Sequence, residues 1–178
     1  MHKYQRCNKI NYCFYDCFIS VIPEKTQRIM ENLACFCYSI YIKIDTQNKY
    51  NVRFKKNHLA PDFATGKEKR LSIVSGVHGD EVAGQYICYE VIRRIKKDFD
   101  KLKGIVDVYP FINPMGLEAQ VRDVPVFDID MNTLFPGSTE GTVGEYTAAL
   151  VLQDIKGSDI CVDLHSSSVY LKELPQVR

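Results

Sequence analysis

The sequence predicts an α/β fold with a mostly parallel or mixed central sheet flanked by helices. Three short apolar runs, typical of strands buried on both faces, alternate with two segments whose apolar residues recur at helical spacing. This strand–helix–strand–helix–strand order is characteristic of sheets that helices cover. The 178 residues suffice for one domain with a buried core. We divide the chain into an N-terminal segment of uncertain structure, 1–48, and a domain from 49 to 178.

The predicted strands are marked by their apolar residues. Residues 50–54 alternate between apolar and polar, as in a strand with one buried face. Residues 71–77, 105–112 and 160–164 are mostly apolar, as in strands that are buried on both faces. The sequence therefore predicts four strands, and the last three of them belong to the alternating pattern.

The predicted helices follow the second and third of these strands. Residues 81–97 carry apolar side chains three and four positions apart, which predicts a helix with one buried face. Thr142 and Glu145 form the capping-box pattern, which predicts a second helix from there to about Ile155. Gly157 is expected to end that helix.

Two segments rich in proline, glycine or polar residues predict loops. Residues 55–69 are polar and include Pro61 and Gly66. Residues 113–132 contain two prolines and a glycine and have no clear period. Loops of the length of 113–132 are often functional.

Composition excludes several classes of function. The chain carries a net charge of +1, and 25% of its residues are charged. Its one basic cluster, in 93–97, is interleaved with an apolar residue and indicates the solvated face of a helix. The apolar run 33–42 is too short to cross a bilayer. We therefore predict a cytoplasmic protein that binds neither nucleic acid nor membrane.

The cysteines indicate reduced thiols. Five of the seven lie in the first 37 residues, no C-x-x-C pair occurs, and an odd count is unusual for a disulfide scaffold. The apolar stretch near the N-terminus is interrupted by Asp16, so no secretory signal is predicted, and Met30 is an alternative start. A thiol-based metal or redox function stays open for these five residues, which are Cys7, Cys13, Cys17, Cys35 and Cys37.

Two histidines and a glutamate fall at the carboxyl ends of predicted strands. His78 and Glu81 lie in a turn between a strand and a helix, and His165 follows a separate strand. Ligands gather at such ends in parallel sheets. Two His and one Glu form a catalytic zinc set whose fourth position is left for water. Alternatively, His78 is a surface histidine beside a helix-capping Glu81, and His165 is structural.

Four motifs occur in one order along the chain. They are VHGDE at 77–81, NPMG at 113–116, DMNTLFPG at 130–137 and DLHS at 163–166. Together they resemble the succinylglutamate desuccinylase/aspartoacylase family of zinc carboxypeptidase-like hydrolases, over about residues 70 to 178. The resemblance implies one Zn²⁺ ion as cofactor, with His78, Glu81 and His165 as its ligands.

The resemblance also implies roles for three residues between the ligands. Arg122 would be the catalytic arginine that polarises the scissile carbonyl and stabilises the oxyanion. Asn132 and Thr133 would bind substrate. Alternatively, Arg122 is a solvated loop residue, and Asn132 is a turn residue before the Phe-Pro-Gly sequence at 135–137.

The chain departs from the family in two respects. The family usually has Asn-Arg where this chain has Asn132 and Thr133, and threonine cannot clamp a carboxylate with two hydrogen bonds. Family members continue beyond the third ligand, where they supply further strands and a glutamate that acts as general base. Neither Glu118, Glu145 nor Glu173 fits that position, so no base is assigned and the C-terminal part of the family fold is expected to be lacking.

Two aspartates beside the ligands have open roles. Asp163 is two residues from His165 on a strand, so both side chains point to one face. Asp80 adjoins Glu81. Each could orient a ligand histidine, or could instead pair within the sheet or cap a turn.

The resemblance implies a deacylase that cleaves the amide bond of a small-molecule N-acyl amino acid. Two alternatives remain. The chain could be a truncated or degenerate relative that binds zinc without catalysis, or a metallocarboxypeptidase that acts on peptides. The acyl group, the amino acid and the oligomeric state are not predicted.

Overall fold

A computed structural model describes residues 37–45, 51–125, 127–167, 171–172 and 174–177. These residues form a mixed sheet with helices on both faces, as predicted, and the sheet has five strands rather than four. The strands are β1 (Cys37–Asp45), β2 (Asn51–Leu59), β3 (Arg70–Ser75), β4 (Ile105–Tyr109) and β5 (Ile160–Leu164). The helices are α1 (Ala83–Lys97), α2 (Pro114–Ala119) and α3 (Val143–Ile155), with short 3-10 helices at Phe99–Lys101 and Met131–Leu134.

The strand order is β1-β2-β4-β3-β5. β3 runs parallel to β4 on one side and to β5 on the other, whereas β2 runs antiparallel to both β1 and β4. In the β3–β5 pair, Ser75 lies opposite Leu164. Because the two strands are parallel, the carboxyl ends of β3 and β5 lie next to each other at the same end of the sheet.

The core lies on both faces of the sheet. On β4, Val106 and Val108 point to one face, where they pack with Cys88 and Ile92 of α1. Tyr109 points to the opposite face, where it belongs to a cluster that includes Val151 of α3. The two helix layers therefore hold the central strands in place, as expected for an α/β fold.

Most predicted elements are confirmed. β3, β4 and β5 lie within the three predicted apolar runs or start one residue before them, and α1 begins two residues after its predicted start. Thr142 and Glu145 form the predicted capping box, in which the Thr142 side chain accepts from the Glu145 amide and Glu145 accepts from Thr142. α3 ends at Ile155, as predicted.

The predicted loop at 55–69 is wrong in its first part, because β2 continues to Leu59. The strand has buried polar residues where the sequence predicts a solvated loop: Lys55, Lys56 and Asn57 are all buried. Lys56 is accommodated because its Nζ donates to Asp154 Oδ2 over 2.8 Å. Lys56 is therefore buried as a charged residue paired with α3, and it interrupts the apolar alternation that would mark a strand in the sequence.

Two further differences concern elements that the sequence did not predict. The segment predicted to be irregular, 113–132, contains α2, whose first turn is capped by the Asn113 side chain. β1 lies in the N-terminal segment, where no period was found, and it pairs with β2 along its whole length. The division of the chain at residue 48 stays a prediction.

β5 is a strand, as predicted, but it is not buried. Ile160 is 60% exposed and Val162 is 39% exposed. The sequence suggested burial because the run is apolar, whereas β5 is the outermost strand of the described sheet and pairs on one side only.

The cysteines of the N-terminal segment lie outside the described residues, except for the backbone of Cys37. Of the cysteines whose side chains are described, Cys88 is buried and Cys161 is exposed, and both are free thiols. In the described ranges, no helix combines the length and apolar character that a membrane span requires.

Candidate metal centre

The three predicted ligands meet at the carboxyl ends of β3 and β5. His78 lies in the turn after β3, Glu81 lies two residues before α1, and His165 directly follows β5. His78 and Glu81 are buried, and the His165 side chain is 36% exposed. The parallel pairing of β3 and β5 thus brings together residues that are 87 positions apart in sequence.

The ligand atoms converge on one point. The Nδ1 atom of His78 is 2.6 Å from Glu81 Oε1, and the Nδ1 atom of His165 is 3.1 Å from Glu81 Oε2. The two Nδ1 atoms are 3.2 Å apart. One donor atom of each residue lies within 4.8 Å of the others, and these three residues form the only such group in the described part of the chain.

Each histidine contacts a carboxylate through its other ring nitrogen. The Nε2 atom of His78 is 3.1 Å from Asp130 Oδ1, and the Nε2 atom of His165 is 2.9 Å from Asp163 Oδ2. Such contacts orient a ligand ring and fix which nitrogen faces the metal. Of the two roles left open for Asp163, the geometry therefore matches the orientation of His165.

The Asp163 contact also changes the protonation of His165. The hydrogen bond with Asp163 raises the pKa of His165 above its ordinary value, and the charges of Asp163 and Glu81 add to this effect. Partial burial opposes the shift but does not cancel it. The metal-free site therefore holds a proton on His165 more tightly than an isolated imidazole does.

Arg122 lies beside the predicted ligands. Its Nη1 donates to Glu81 Oε1 over 3.3 Å, and its Nη2 donates to Asp130 Oδ2 over 3.0 Å. The side chain is 50% exposed. A guanidinium that is anchored at two points and half open to solvent can still reach a bound substrate, whereas its catalytic role stays a prediction.

Asn132 and Thr133 lie in the 3-10 helix that Asp130 caps. The Asn132 amide nitrogen donates to Asp130 Oδ1, and Asn132 Nδ2 is 3.0 Å from His78 Nε2. Asn132 thus takes part in a turn and also borders the ligands. Thr133 Oγ1 donates to the Asp130 carbonyl over 2.7 Å, so its hydroxyl is engaged by the backbone.

Asp130 is not among the predicted site residues, although it contacts His78, Arg122 and Asn132. Burial would raise the pKa of Asp130, but hydrogen bonds from Asn132, Arg122 and His78 outweigh it and hold that pKa below its ordinary value. The only available signal was its position at the start of the 130–137 motif, because its contact with His78 joins residues that are 52 positions apart.

The remaining acidic residues do not add to the ligand set. Asp80 has a buried Oδ1 that lacks a hydrogen-bond partner among the described residues. Glu145 belongs to the capping box of α3. Glu118 is exposed on α2, and Glu173 lies outside the described residues.

The chain is similar to several known proteins. The chain is 30% identical over 115 residues to the N-alpha-acetyl-L-2,4-diaminobutyric acid deacetylase of Halomonas elongata. It is similar to the succinylglutamate desuccinylase/aspartoacylase structure from Rhodobacter sphaeroides, with a TM-score of 0.64 at 24% identity over 74% of the chain. A metallo-carboxypeptidase from Burkholderia cenocepacia shares the fold, with a TM-score of 0.60 at 14% identity over 80% of the chain.

These relatives are longer than the chain. The chain spans 32% of the Halomonas enzyme, 40% of the Rhodobacter protein and 39% of the Burkholderia protein. The model of the succinylglutamate desuccinylase/aspartoacylase catalytic domain matches residues 67–178, which is more than half of the chain and includes all three ligands. The chain therefore belongs to the succinylglutamate desuccinylase/aspartoacylase family of hydrolases.

Proposed function

We propose that the protein is a zinc-dependent deacylase that cleaves the amide bond of a small N-acyl amino acid in the cytoplasm. The observation that carries this proposal is the convergence of His78, Glu81 and His165 in a chain of a hydrolase family. The free thiols Cys88 and Cys161 agree with a reducing compartment.

The donor set fits zinc. In a tetrahedral site with Zn–N bonds of about 2.0 Å, two ligand nitrogens lie about 3.3 Å apart. The 3.2 Å between the Nδ1 atoms of His78 and His165 is close to that value. Glu81 places one carboxylate oxygen beside each of them, Oε1 beside His78 and Oε2 beside His165. When bound, the ion would polarise a carbonyl and lower the pKa of water.

Arg122 is the residue of this chain best placed to stabilise the developing oxyanion. Its guanidinium is held at the rim of the ligand cluster by Glu81 and Asp130, and half of its surface is open to a substrate. A cation at that position favours the transition state over the ground state, because negative charge develops on the oxygen only during the reaction. Asn132 borders the same space and is proposed to contact substrate.

The charges around the site favour substrates with a single carboxylate. Three carboxylates, Glu81, Asp130 and Asp163, are in contact with the histidines, and Arg122 is the one cation in ion-pair contact with them among the described residues. The three carboxylates, the Arg122 guanidinium and a bound divalent ion together would carry no net charge. N-acetyl-2,4-diaminobutyric acid, which the name of the Halomonas relative specifies, has a cationic side chain and fits this balance better than a dicarboxylate.

The proposal is tested by hydrolysis. Zinc-loaded protein is incubated with N-acetyl-2,4-diaminobutyrate, N-acetyl-aspartate and N-succinyl-glutamate, and amine release is measured. We expect turnover, strongest with the first substrate. The Arg122→Ala variant is the matched control, which should retain zinc and lose about 100-fold or more in kcat.

A non-catalytic metal-binding relative is the second candidate. It is favoured by one observation: no glutamate in the described part of the chain lies where a general base would be needed, since Glu118 is exposed and Glu145 caps α3. One bound zinc per chain without turnover above background would support this second candidate and contradict the first.

Asp163→Asn is expected to change the pH dependence of zinc binding. His165 binds metal only when unprotonated, so zinc affinity falls as the pH falls through the pKa of His165. Because Asp163 raises that pKa, the variant should shift the midpoint of the fall to lower pH. Above that midpoint, the variant should bind zinc about tenfold more weakly, because the ring loses its orienting partner.

Chelator competition between pH 5.5 and 8.5 measures both effects of this substitution. Asp62→Asn, which removes an exposed carboxylate in the segment before β3, is the control and should match the wild type. An unchanged midpoint would contradict the role of Asp163.

Thr133→Arg is expected to increase the affinity of the zinc-loaded protein for N-acetyl-aspartate about tenfold. Arginine adds a positive charge and can donate two parallel hydrogen bonds to the second carboxylate. Calorimetric titration measures the change. Thr133→Lys adds the same charge without the planar fork and should give a smaller gain. Equal gains for the two variants would mean that charge alone acts, and no gain would place Thr133 away from the substrate.

A further inference from the structure

Asn113 is a buried residue whose side chain binds three separate stretches of backbone. It is only 2% exposed and precedes α2. Its Oδ1 accepts from the Gly116 amide over 2.9 Å, which caps α2. Its Nδ2 donates to the Val77 carbonyl over 3.2 Å and to the Asp123 carbonyl over 3.3 Å.

The two stretches that the Nδ2 atom joins carry the functional residues. Val77 precedes His78, the first ligand, and Asp123 follows Arg122. A backbone hydrogen bond adds to this link, because the Gly79 amide donates to the Arg122 carbonyl over 3.4 Å. The turn that holds the candidate ligands is therefore tied to two consecutive carbonyls, those of Arg122 and Asp123.

The backbone segments around Asn113 approach one another closely. A Cβ on Gly79 would overlap the backbone of Gly116. A Cβ on Gly116 would lie 2.8 Å from Asn113 Cγ and 2.9 Å from the Asp123 carbonyl oxygen, closer than side-chain carbons normally approach. The three segments thus touch through glycines at their closest approach, and the Asn113 amide supplies the polar contacts between them.

The Arg122 side chain is held less firmly than its backbone. Half of its surface is exposed, and its partners are the carboxylates of Glu81 and Asp130. The guanidinium end of both pairs is open to solvent, which competes for its charge, so the pairs fix the position of the side chain only weakly. The position of the guanidinium relative to the ligands therefore depends on where the backbone of Arg122 is fastened.

We propose that Asn113 is a positioning residue for Arg122. Its amide group fastens the stretch 122–123 to the ligand turn 77–79 and thereby sets the distance from the guanidinium to the metal ligands. Asn113 touches no reacting atom. The inference rests on the proposed function only for the role of Arg122 in oxyanion binding.

Substitutions at Asn113 can separate the role of Oδ1, which caps α2, from the role of Nδ2, which donates to the Val77 and Asp123 carbonyls. Asn113→Ser keeps an oxygen that can cap α2 but lacks the amide donors to Val77 and Asp123. Asn113→Asp has the same shape and keeps the cap, whereas its second oxygen faces two carbonyl oxygens. Both variants are examined, so that one can decide the matter if the other does not fold. Asn113→Ala loses both the cap and the amide donors. The difference between Asn113→Ala and Asn113→Ser therefore gives the contribution of the cap.

The first measurement needs no metal. Hydrogen exchange of the Gly79 amide reports the bond to the Arg122 carbonyl, and we expect about tenfold faster exchange in Asn113→Ser, as for the loss of roughly one hydrogen bond. The amides of the β3–β4 pair should keep their wild-type rates. Unchanged exchange at Gly79 would overturn the proposal, whether or not the protein binds zinc or hydrolyses any amide.

The second measurement uses the zinc-loaded protein and acetate as the probe. Asn113→Ser and Arg122→Ala should each weaken acetate binding by about tenfold, and the double variant should be no weaker than Arg122→Ala alone, because both act through one group. Zinc affinity should stay within about threefold of the wild type, since the ligands are attached to β3 and β5. Multiplicative losses of acetate affinity in the double variant would overturn the proposal. Absence of zinc binding in the wild type would instead contradict the proposed function.

Discussion

Asp107→Asn is expected to lower the free energy of unfolding by about 3 kcal/mol. Asp107 is fully buried in β4, where it accepts hydrogen bonds from His58 Nδ1 over 2.5 Å and from Arg70 Nε over 2.7 Å. Lys56 Nζ lies 3.7 Å away. Without the Asp107 carboxylate, the buried Lys56 and the partly buried Arg70 face a neutral amide. The loss stays near the lower end of the usual range for broken buried pairs, because Lys56 retains Asp154.

Urea denaturation of the wild type and the variant measures this loss. Asp100→Asn removes the same charge from an exposed position between α1 and β4, and it should change the unfolding free energy by less than about 0.5 kcal/mol. A loss below about 1 kcal/mol for Asp107→Asn would mean that the buried charges are compensated in some other way.

The same substitution should reduce the sensitivity of the protein to acid. Burial alone would raise the pKa of Asp107, but the His58 hydrogen bond and the charges of Lys56, His58 and Arg70 hold it below its ordinary value. The stabilisation is therefore complete above about pH 4, the pKa of an unfolded aspartate, and is lost as the pH falls through the lower folded pKa. The stability difference between wild type and variant should accordingly narrow below about pH 4.

His78→Ala is expected to weaken zinc binding by more than about 100-fold, since even the loss of an outer partner of a ligand costs 10- to 100-fold. His78 is the central member of the cluster, because its Nδ1 lies within 3.2 Å of both Glu81 Oε1 and His165 Nδ1. The side chain is also buried, so no water-exposed neighbour can replace its nitrogen without rearrangement.

Metal content after dialysis and chelator competition measure the affinity of the His78→Ala variant. His58→Gln is the matched control: His58 lies on β2 and contacts Asp107 rather than the ligand cluster, and glutamine keeps a donor for that carboxylate. The control should bind one zinc per chain. Stoichiometric zinc in His78→Ala would overturn the ligand assignment.

Local patterns predicted the elements that depend on local chemistry. The capping box at Thr142 marks the start of α3 to within one residue, because the pattern and the structure are the same hydrogen bonds. β3 and β4 were found because their central position requires apolar side chains on both faces. His78 and Glu81 were singled out as candidate ligands because their three-residue offset places both in one turn.

Long-range pairing explains what the sequence did not reveal. Lys56 suggests a solvated loop unless Asp107 and Asp154 are known to face it from β4 and α3. Asp130 gains its contacts with His78 and Arg122 only once the chain is folded. The exposure of β5 depends on its place in the strand order, which no residue within the run encodes.

The candidate ligands are attached to strands that differ in their number of neighbours, and this difference has a thermodynamic consequence. His78 and Glu81 follow β3, which has a neighbour on both sides, whereas His165 follows β5, the outermost described strand, which has a neighbour on one side only. An ion bound by these three residues would act as a cross-link between β3, which pairs on both sides, and β5, which pairs on one side. Its binding free energy would then be divided between coordination and the ordering of that outer strand, so that the measured affinity reports on both.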